Sequence, residues 1–246
     1  MTEARHGARS GVVLVGGRSS RLGTPKALVD LGGAPLVRHV LHAVAPACHD
    51  LLLVAAPREA QPEDLRAGLA EEVERLANDA GRSARVVHDA HAHLGPVSGL
   101  ATALGAARGE LAWVTACDVP FLATGLVDAL FALAEGEATL DVVVPRWRGY
   151  LEPLLAVYRV RTMAPHFARQ LADGVLRPTD RLAECRVRVV EEDEILRLDP
   201  AGRSFVNVNA PDDLDTARAL IAREPSAITL RASRPVRSRR GSTADG

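Results

Sequence analysis

Short apolar runs alternate with longer amphipathic segments along most of the chain. The runs have the length and the nearly continuous aliphatic composition of strands that are buried on both faces, and the segments between them carry apolar residues at helical spacing. The predicted strands are residues 12–15, 51–56, 85–88, 111–117, 141–145, 152–158 and 205–209. The predicted helices are residues 35–44, 62–80, 101–108, 126–134, 161–172 and a last helix that begins at residue 211.

Strands that alternate with helices indicate a parallel sheet with right-handed crossover connections. The predicted fold class is therefore α/β, a three-layer, Rossmann-like arrangement of a mostly parallel, twisted sheet with helices on both faces. We expect residues 11–224 to form a single domain after a flexible N-terminus, residues 1–10. Residues 225–246 contain five arginines and one aspartate with no apolar period after Leu230, and we expect them to be a disordered basic tail.

Charge and cysteine content exclude several classes of protein. The 30 Lys and Arg residues nearly balance the 31 Asp and Glu residues, so we expect neither nucleic acid nor membrane as a partner. Cys48, Cys117 and Cys185 are widely separated, which argues against a disulfide framework or a structural zinc site. Cys117 is interpreted as a small buried strand residue. No stretch reaches the roughly 18 apolar residues of a membrane span, and we expect a cytoplasmic protein.

A glycine-rich, basic loop follows the first predicted strand. Gly16, Gly17 and Gly23 let the main chain approach a ligand closely, while Arg21 and Lys26 bring positive charge to the same turn. The spacing matches neither the dinucleotide-binding motif G-x-G-x-x-G nor the Walker pattern. The sequence therefore predicts a phosphate-binding loop of a third kind.

A carboxylate follows each of two further strands that are predicted in the first half of the chain. Asp89 and Asp118 come directly after the third and fourth predicted strands. Ligands of open α/β sheets bind beyond the carboxyl ends of strands, so Asp118 can hold a metal ion on a bound triphosphate there. His88, His91 and His93 surround Asp89, but no matching Cys or His cluster exists elsewhere, and we interpret them as solvated loop residues.

Five segments resemble one known family. The loop resembles the signature G-G-x-x-x-R-x-G-x-x-K of nucleotidyltransferases, and most closely that of the molybdenum cofactor guanylyltransferases. Asp89 with residues 95–100 resembles their D-x(n)-G-P-L-A-G-L segment, and residues 116–121 resemble A-C-D-x-P-F. Residues 153–158 resemble P-L-x-A-L-Y, and residues 207–214 resemble N-x-N-T-P-E-D-L. The resemblance spans nearly all of the predicted domain and implies a nucleotidyltransferase fold.

The resemblance implies a role for each matching residue. Arg21, Lys26 and Asp118 would be catalytic: the two cations would bind the triphosphate and offset charge on the departing pyrophosphate, and Asp118 would hold Mg²⁺. The nucleotide would be bound by Leu14, Val15, Gly16, Gly17, Gly23, Lys26, Asp89, Gly95, Gly99 and Asp118. Hydrogen bonds from the backbone of residues 14–17 and from Asp89 would select the base.

The acceptor, or its phosphate, would lie on the side of Asn207, Asn209, Arg146 and Arg148. The implied reaction transfers GMP from GTP to the phosphate of molybdopterin and yields molybdopterin guanine dinucleotide and pyrophosphate. Such a reaction needs no protein nucleophile, because the attacking phosphate is already an anion. Partners besides GTP and molybdopterin would be molybdoenzyme apoproteins or other proteins of cofactor biosynthesis.

Three alternatives stay open at this point. The related cytidylyltransferases resemble L-A-A-G at the loop entrance; the double glycine here favours GTP, but Val15 stands where alanine is usual. A chain of this kind could also act on another small phosphate. In an alternative of another class, the protein binds or chaperones the pterin cofactor without catalysis; the intact Arg21, Lys26 and Asp118 argue against it.

Overall fold

A computed structural model describes residues 8–15, 23–80, 83–91 and 94–224. The strands in these ranges are β1 (Arg9–Leu14), β2 (Asp50–Ala55), β3 (Ser83–His88), β4 (Leu111–Ala116), β5 (Val142–Trp147), β6 (Tyr150–Leu151), β7 (Leu155–Arg159) and β8 (Val187–Val190). The α-helices are α1 (Leu36–Val44), α2 (Glu63–Ala80), α3 (Pro96–Ala106), α4 (Thr124–Gly136), α5 (Val160–Ala172), α6 (Glu192–Leu198) and α7 (Pro211–Arg223).

The strands form one mixed sheet in the order β3-β2-β1-β4-β7-β5-β6, and β8 pairs with β5. Strands β1 to β4 are parallel to one another, whereas β7 is antiparallel to both of its neighbours, β4 and β5. Because β7 is reversed between them, β4 and β5 run in the same direction. The carboxyl ends of β1 to β5 therefore meet at one edge of the sheet.

Strands β1, β2 and β4 are buried on both faces, as their continuous apolar runs predict, whereas β3 at the end of the sheet is only partly buried. Val13, Leu53 and Trp113 face a cluster that contains residues of α1, α2 and α4. Their neighbours Val12 and Leu52 face a second cluster with residues of α3 and α5. This arrangement confirms the predicted α/β class, with a mostly parallel sheet between two layers of helices. No helix in the described ranges combines the length and the apolar character needed to cross a membrane.

Several element bounds differ from the prediction. Strand β1 begins at Arg9, so two residues assigned to a flexible N-terminus belong to the sheet. Helix α3 begins at Pro96, five residues before its predicted start. The predicted strand 152–158 is in fact a turn followed by β7. Strand β8 and helix α6 had no predicted counterpart.

The predicted strand 205–209 is wrong. Residues 203–205 form one turn of 3-10 helix, and residues 206–209 belong to no strand. The reason is that β4 already has β1 and β7 as neighbours, so no ladder position beside it is open. The segment makes a single backbone hydrogen bond there, from the Val208 N–H to the Asp118 carbonyl (2.9 Å).

Helix α7 is held by a small apolar cluster of its own. The members are Val29, Leu31, Leu36, Phe121, Val208, Leu214 and Ala217. They come from the chain after the basic loop, from the chain after β4, and from the last helix. The cluster therefore attaches the carboxy-terminal segment to the same edge at which β1 and β4 end.

A buried polar network lies at the opposite edge, where the parallel strands begin. Asp50 accepts hydrogen bonds from the Arg85 guanidinium, from Ser10 Oγ (2.8 Å) and from the Arg108 N–H (3.1 Å). Ser10 Oγ in turn accepts one from the Gly109 N–H (2.8 Å). Burial acts to raise the pKa of Asp50, but these hydrogen bonds, led by that from Arg85, outweigh burial and keep the pKa below its usual range.

We expect Asp50→Asn to cost about 2–3 kcal/mol of unfolding free energy at neutral pH, because the charged acceptor of three donors is lost. The folded pKa of Asp50 lies below the unfolded value of about 3.9. The difference in unfolding free energy between the wild type and Asp50→Asn is therefore fully present above the unfolded pKa. It decreases and disappears as pH falls through the folded pKa. Urea unfolding of both proteins from about pH 7 to 3 measures how this difference in free energy decreases.

Asp215→Asn is the matched control, since the side chain of Asp215 is 76% exposed. It should change stability by less than about 0.5 kcal/mol. A gap between wild type and Asp50→Asn that stays constant across the whole pH range would contradict the role given to the Asp50 charge.

Candidate functional site

A cavity of about 1010 Å³ opens at the carboxyl edge of the sheet. This volume suits a nucleotide-sized ligand. The side toward β2 is mainly apolar and includes Val54, Ala55, Ala56, Gln61 and Leu65. Asp89 and the start of α3 form another side, and Asp118 and Leu154 lie where β4 ends and β7 begins.

Leu14 and Val15 contribute an apolar wall at the base of the cavity. The Val15 N–H already donates to the Val54 carbonyl (2.8 Å), and the Leu14 carbonyl accepts from the Cys117 N–H (3.1 Å). These groups therefore serve the sheet. Gly16 and Gly17, for which base-selecting backbone bonds were also predicted, lie outside the described residues, as does Arg21.

The predicted glycines of the described ranges all line the cavity. Gly23 and Gly95 have φ values of +70° and +76°, a backbone region that disfavours side chains. Gly99 lies within α3, where an added Cβ would come 3.3 Å from Leu14 Cδ1. Glycine at this position therefore lets α3 pack tightly over the end of β1.

Asp89 lines the cavity and is held by the helix that follows it. Its Oδ1 accepts hydrogen bonds from Ser98 Oγ (2.8 Å), Thr102 Oγ1 (3.1 Å) and the His91 N–H (3.1 Å). Within the part of the chain that the structure describes, no donor contacts Oδ2. One carboxylate oxygen is thus fixed in place while the other stays available to a ligand.

Lys26, Asp118 and Asn209 form a hydrogen-bonded cluster beside the cavity. Lys26 Nζ donates to Asp118 Oδ2 (2.6 Å) and to Asn209 Oδ1. The Lys26 and Asp118 side chains are 20% and 18% exposed, so a ligand can reach both. The cluster combines a cation, a carboxylate and a carbonyl oxygen, the groups needed to bind phosphate and a phosphate-bound cation.

Three separate elements bring these side chains together. Lys26 begins one turn of 3-10 helix directly after Pro25. Asp118 is the second residue after β4. Asn209 precedes α7, and the Asp213 carboxylate accepts from the Asn209 N–H (2.8 Å) and from the next amide (2.9 Å). These two bonds satisfy donors at the helix start and fix the Asn209 backbone.

Cys117 and His88, which were considered from the sequence, both have defined surroundings in the structure. Burial raises the pKa of the Cys117 thiol to about 12, so it remains a neutral buried side chain. His88 bonds to Gln61, and no group of three or more His, Cys, Asp or Glu residues in the described ranges could hold a metal ion. His93 lies outside those ranges.

Of the four residues predicted on the acceptor side, the structure places one in the cluster with Lys26 and Asp118. Asn209 joins the cluster, whereas Asn207 is exposed. Arg146 lies near the end of β5 and Arg148 directly after it, at the same edge of the sheet, but neither lines the cavity. Arg146 Nε lies 3.3 Å from Glu191 Oε2, and the Arg148 N–H donates to Glu192 Oε2 (3.0 Å). Each arginine is thus already close to a carboxylate of its own chain.

A hairpin next to these arginines carries features that sequence reasoning missed. Arg148 and Gly149 both have positive φ, which joins β5 and β6 by a two-residue turn. Tyr150 on this hairpin is 76% exposed. Burial raises the pKa of Glu152, and no donor in the described residues contacts its carboxylate. A lone exposed aromatic before a carboxylate gives no periodic signal, so only the structure singles them out.

Sequence reasoning also missed Gln61 and Ser98. Gln61 is 7% exposed and lines the cavity, with Nε2 donating to the Ala56 carbonyl and contacting His88 Nδ1 (2.9 Å). Ser98 is the residue that orients Asp89. Both are common polar residues at helix starts, so their type and spacing alone carry no signal.

Comparisons with known proteins identify the family of the chain. Residues 11–191 match the family model described as MobA-like NTP transferase domain. A probable molybdenum cofactor guanylyltransferase from Natronomonas pharaonis is 36% identical over 213 residues, which is 86% of this chain and 98% of the relative. One from Pelotomaculum thermopropionicum is 32% identical over 86% of this chain and 92% of its own.

Solved structures show the same fold. Molybdopterin-guanine dinucleotide biosynthesis protein A from Archaeoglobus fulgidus superposes with a TM-score of 0.68 at 27% identity, covering 87% of this chain and 99% of that one. 2-C-methyl-D-erythritol 4-phosphate cytidylyltransferase from Thermus thermophilus has a TM-score of 0.57 at 19% identity over 86% and 98%, which shows the fold alone. The fold is thus the Rossmann-like nucleotidyltransferase fold, and the chain belongs to the family of MobA-like NTP transferase domains.

Proposed function

We propose that the protein transfers GMP from GTP to the phosphate of molybdopterin, releasing pyrophosphate and forming molybdopterin guanine dinucleotide. The observation that carries the proposal is the cluster of Lys26, Asp118 and Asn209 beside the cavity at the carboxyl edge. The printed names of the relatives support the same reaction.

The residues of the cluster suit the attack of one phosphate on another. The acceptor phosphate is an anion and needs no general base, so catalysis consists of positioning and charge stabilisation. Lys26 offers an ammonium group that stabilises negative charge on the triphosphate as pyrophosphate departs. The side-chain oxygen of Asn209 accepts a hydrogen bond from this ammonium group and holds it in place. Asp89 offers its second oxygen to the nucleotide.

Magnesium fits the donor set of this cluster. Asp118 and Asn209 present carboxylate and amide oxygens, which are ligands that Mg²⁺ prefers, and both already contact a cation, Lys26 Nζ. Asp118 would hold the ion, with the remaining positions left to phosphate oxygens and water. When bound, Mg²⁺ would polarise the phosphate and neutralise part of its charge.

The first experiment is calorimetric titration of the purified protein with GTP, CTP, ATP and UTP in the presence of Mg²⁺. We expect GTP to bind about tenfold or more tightly than the others, because Asp89 at the cavity would accept hydrogen bonds from guanine that the other bases do not offer in the same arrangement. Incubation with GTP and molybdopterin, followed by detection of pyrophosphate and the dinucleotide, then tests the acceptor.

The outcome of this titration distinguishes the proposed guanylyltransferase from the alternative functions. A preference for CTP would identify a cytidylyltransferase, an activity that the same fold supports elsewhere. GTP binding without pyrophosphate release would favour a carrier of the cofactor. Absence of binding by any triphosphate would contradict the proposed reaction.

The proposed reaction also defines the setting of the protein. We infer a cytoplasmic location, which agrees with the lack of a membrane-spanning helix among the described residues. The product would pass to molybdoenzyme apoproteins or to other proteins of cofactor biosynthesis.

A further inference from the structure

The nucleotide cavity covers only one half of the carboxyl edge. It extends over the ends of β2, β1 and β4 and stops at Leu154, at the start of β7. In the sheet order, β5 and β6 lie beyond β7. Asp118 follows β4 and therefore stands at the boundary between the two halves.

This boundary determines where an acceptor would lie, if the proposed transfer is correct. The attacking and leaving oxygens are roughly in line at the transferred phosphorus, so the acceptor approaches from the side opposite to the departing pyrophosphate. The opposite side of the cavity, toward Gln61 and Leu65, borders the start of α2. The body of the acceptor would then lie over β7, β5 and β6.

Glu152 is the unpaired carboxylate of that half. It precedes β7 by three residues, and Asp118 follows the neighbouring strand β4 by two. Its N–H donates to the Pro145 carbonyl (2.9 Å), which continues the β5–β6 hairpin by one pair. The side chain is half-buried, and no donor of the described residues contacts it. A carboxylate withdrawn from water without donors favours a ligand that supplies them.

Tyr150 lies two residues earlier on the same hairpin. Because side chains alternate along extended chain, positions 150 and 152 share one face of the hairpin. Tyr150 is 76% exposed, which leaves its ring free to stack on a flat ligand. The hairpin itself is rigid, since Trp147 stacks on Phe205 with ring centroids 4.5 Å apart.

We propose that Glu152 and Tyr150 bind the pterin ring of the acceptor, Glu152 by accepting hydrogen bonds from its amino group and adjacent ring N–H and Tyr150 by stacking. The inference rests on the proposed transfer to molybdopterin. Guanine carries the same pair of donors. The experiment must therefore distinguish binding of the pterin by Glu152 from binding of the guanine of GTP. Two neighbouring N–H donors match the two oxygens of one carboxylate.

The test separates binding of the two substrates. With saturating GTP, we expect Glu152→Gln to raise the KM for molybdopterin about 10- to 100-fold, because an amide nitrogen then faces a ligand donor. The Kd for GTP should stay unchanged. Tyr150→Ala should raise the same KM about five- to tenfold through lost stacking. Glu74→Gln on α2 and Leu198→Ala at the end of α6, both exposed, are the matched controls and should change neither constant.

A second measurement needs no turnover. Titration with free pterin, followed by quenching of its fluorescence, should show binding to the wild type and at least tenfold weaker binding to Glu152→Gln. An unchanged acceptor KM and unchanged pterin binding in Glu152→Gln would overturn the inference while product formation by the wild type still supported the transfer. A rise in the Kd for GTP instead would assign Glu152 to guanine and also overturn it. A wild type that binds pterin but forms no dinucleotide would overturn the proposed transfer alone.

Discussion

We expect Lys26→Met to lower kcat/KM for nucleotidyl transfer by about 10²- to 10³-fold, since a charge-stabilising donor at such a centre contributes about 3–4 kcal/mol. The methionine keeps most of the length of the side chain but removes the ammonium group that contacts Asp118 and Asn209. Steady-state kinetics of pyrophosphate release measure the effect. Arg197→Met is the control, because this arginine is 71% exposed on α6, and it should leave kcat/KM unchanged.

A double-mutant cycle shows whether Lys26 acts together with Asp118. Asp118→Asn should lower kcat/KM by a similar factor, since it removes the charge that would hold the metal ion. If the two residues act as one unit, the double variant loses much less than the product of the two single factors. Strict multiplication of the two losses would show that the 2.6 Å contact has no part in catalysis.

We expect Arg159→Met to lower the free energy of unfolding by about 3–5 kcal/mol, because it removes a buried guanidinium and leaves the main-chain carbonyls that it contacts without their donor. Arg159 is 3% exposed and donates to the carbonyls of Leu140 (2.7 Å) and Ala134 (2.9 Å) and to Glu110 Oε1 (2.7 Å). Ala134 lies in the last turn of α4, so the variant leaves a helix carbonyl without its donor.

Urea unfolding measures this loss, and the thermal midpoint should fall by roughly 6–20 °C for a chain of this size. Arg161→Met is the matched control two residues away, since Arg161 is exposed on α5. It should stay within about 0.5 kcal/mol of the wild type. Equal stability of the two variants would show that the Arg159 contacts add nothing to the fold.

The parallel half of the sheet could be predicted from the sequence because burial on both faces leaves an unmistakable run of aliphatic residues. Strands β1, β2 and β4 all show it, and each of them ends at the cavity. The direction of β7 could not be read, since apolar periodicity is the same for a strand and its reverse. Two strands of one sheet can therefore look alike in sequence and run in opposite directions.

The start of α3 was missed for a related reason. Pro96 and Gly99 are typical of loops, but proline fits the first turn of a helix and Gly99 makes room for Leu14. Lys26, Asp118 and Asn209 could be selected because each sits in a recognisable motif. Their mutual hydrogen bonds could not, because they depend on how residues up to 183 positions apart meet in the folded chain.

Because of the way α7 is attached, we expect activity to be lost under milder conditions than those that unfold the sheet. Asn209 reaches Lys26 only while the segment before α7 stays in place. That segment is held by one backbone bond to Asp118, by a small apolar cluster and by the stacking of Phe205 on Trp147. The sheet has two much larger clusters of its own. Local opening of the last helix costs less free energy than global unfolding. We therefore expect mild heat or denaturant to separate Asn209 from Lys26 and Asp118 first, so that inactivation precedes the loss of secondary structure.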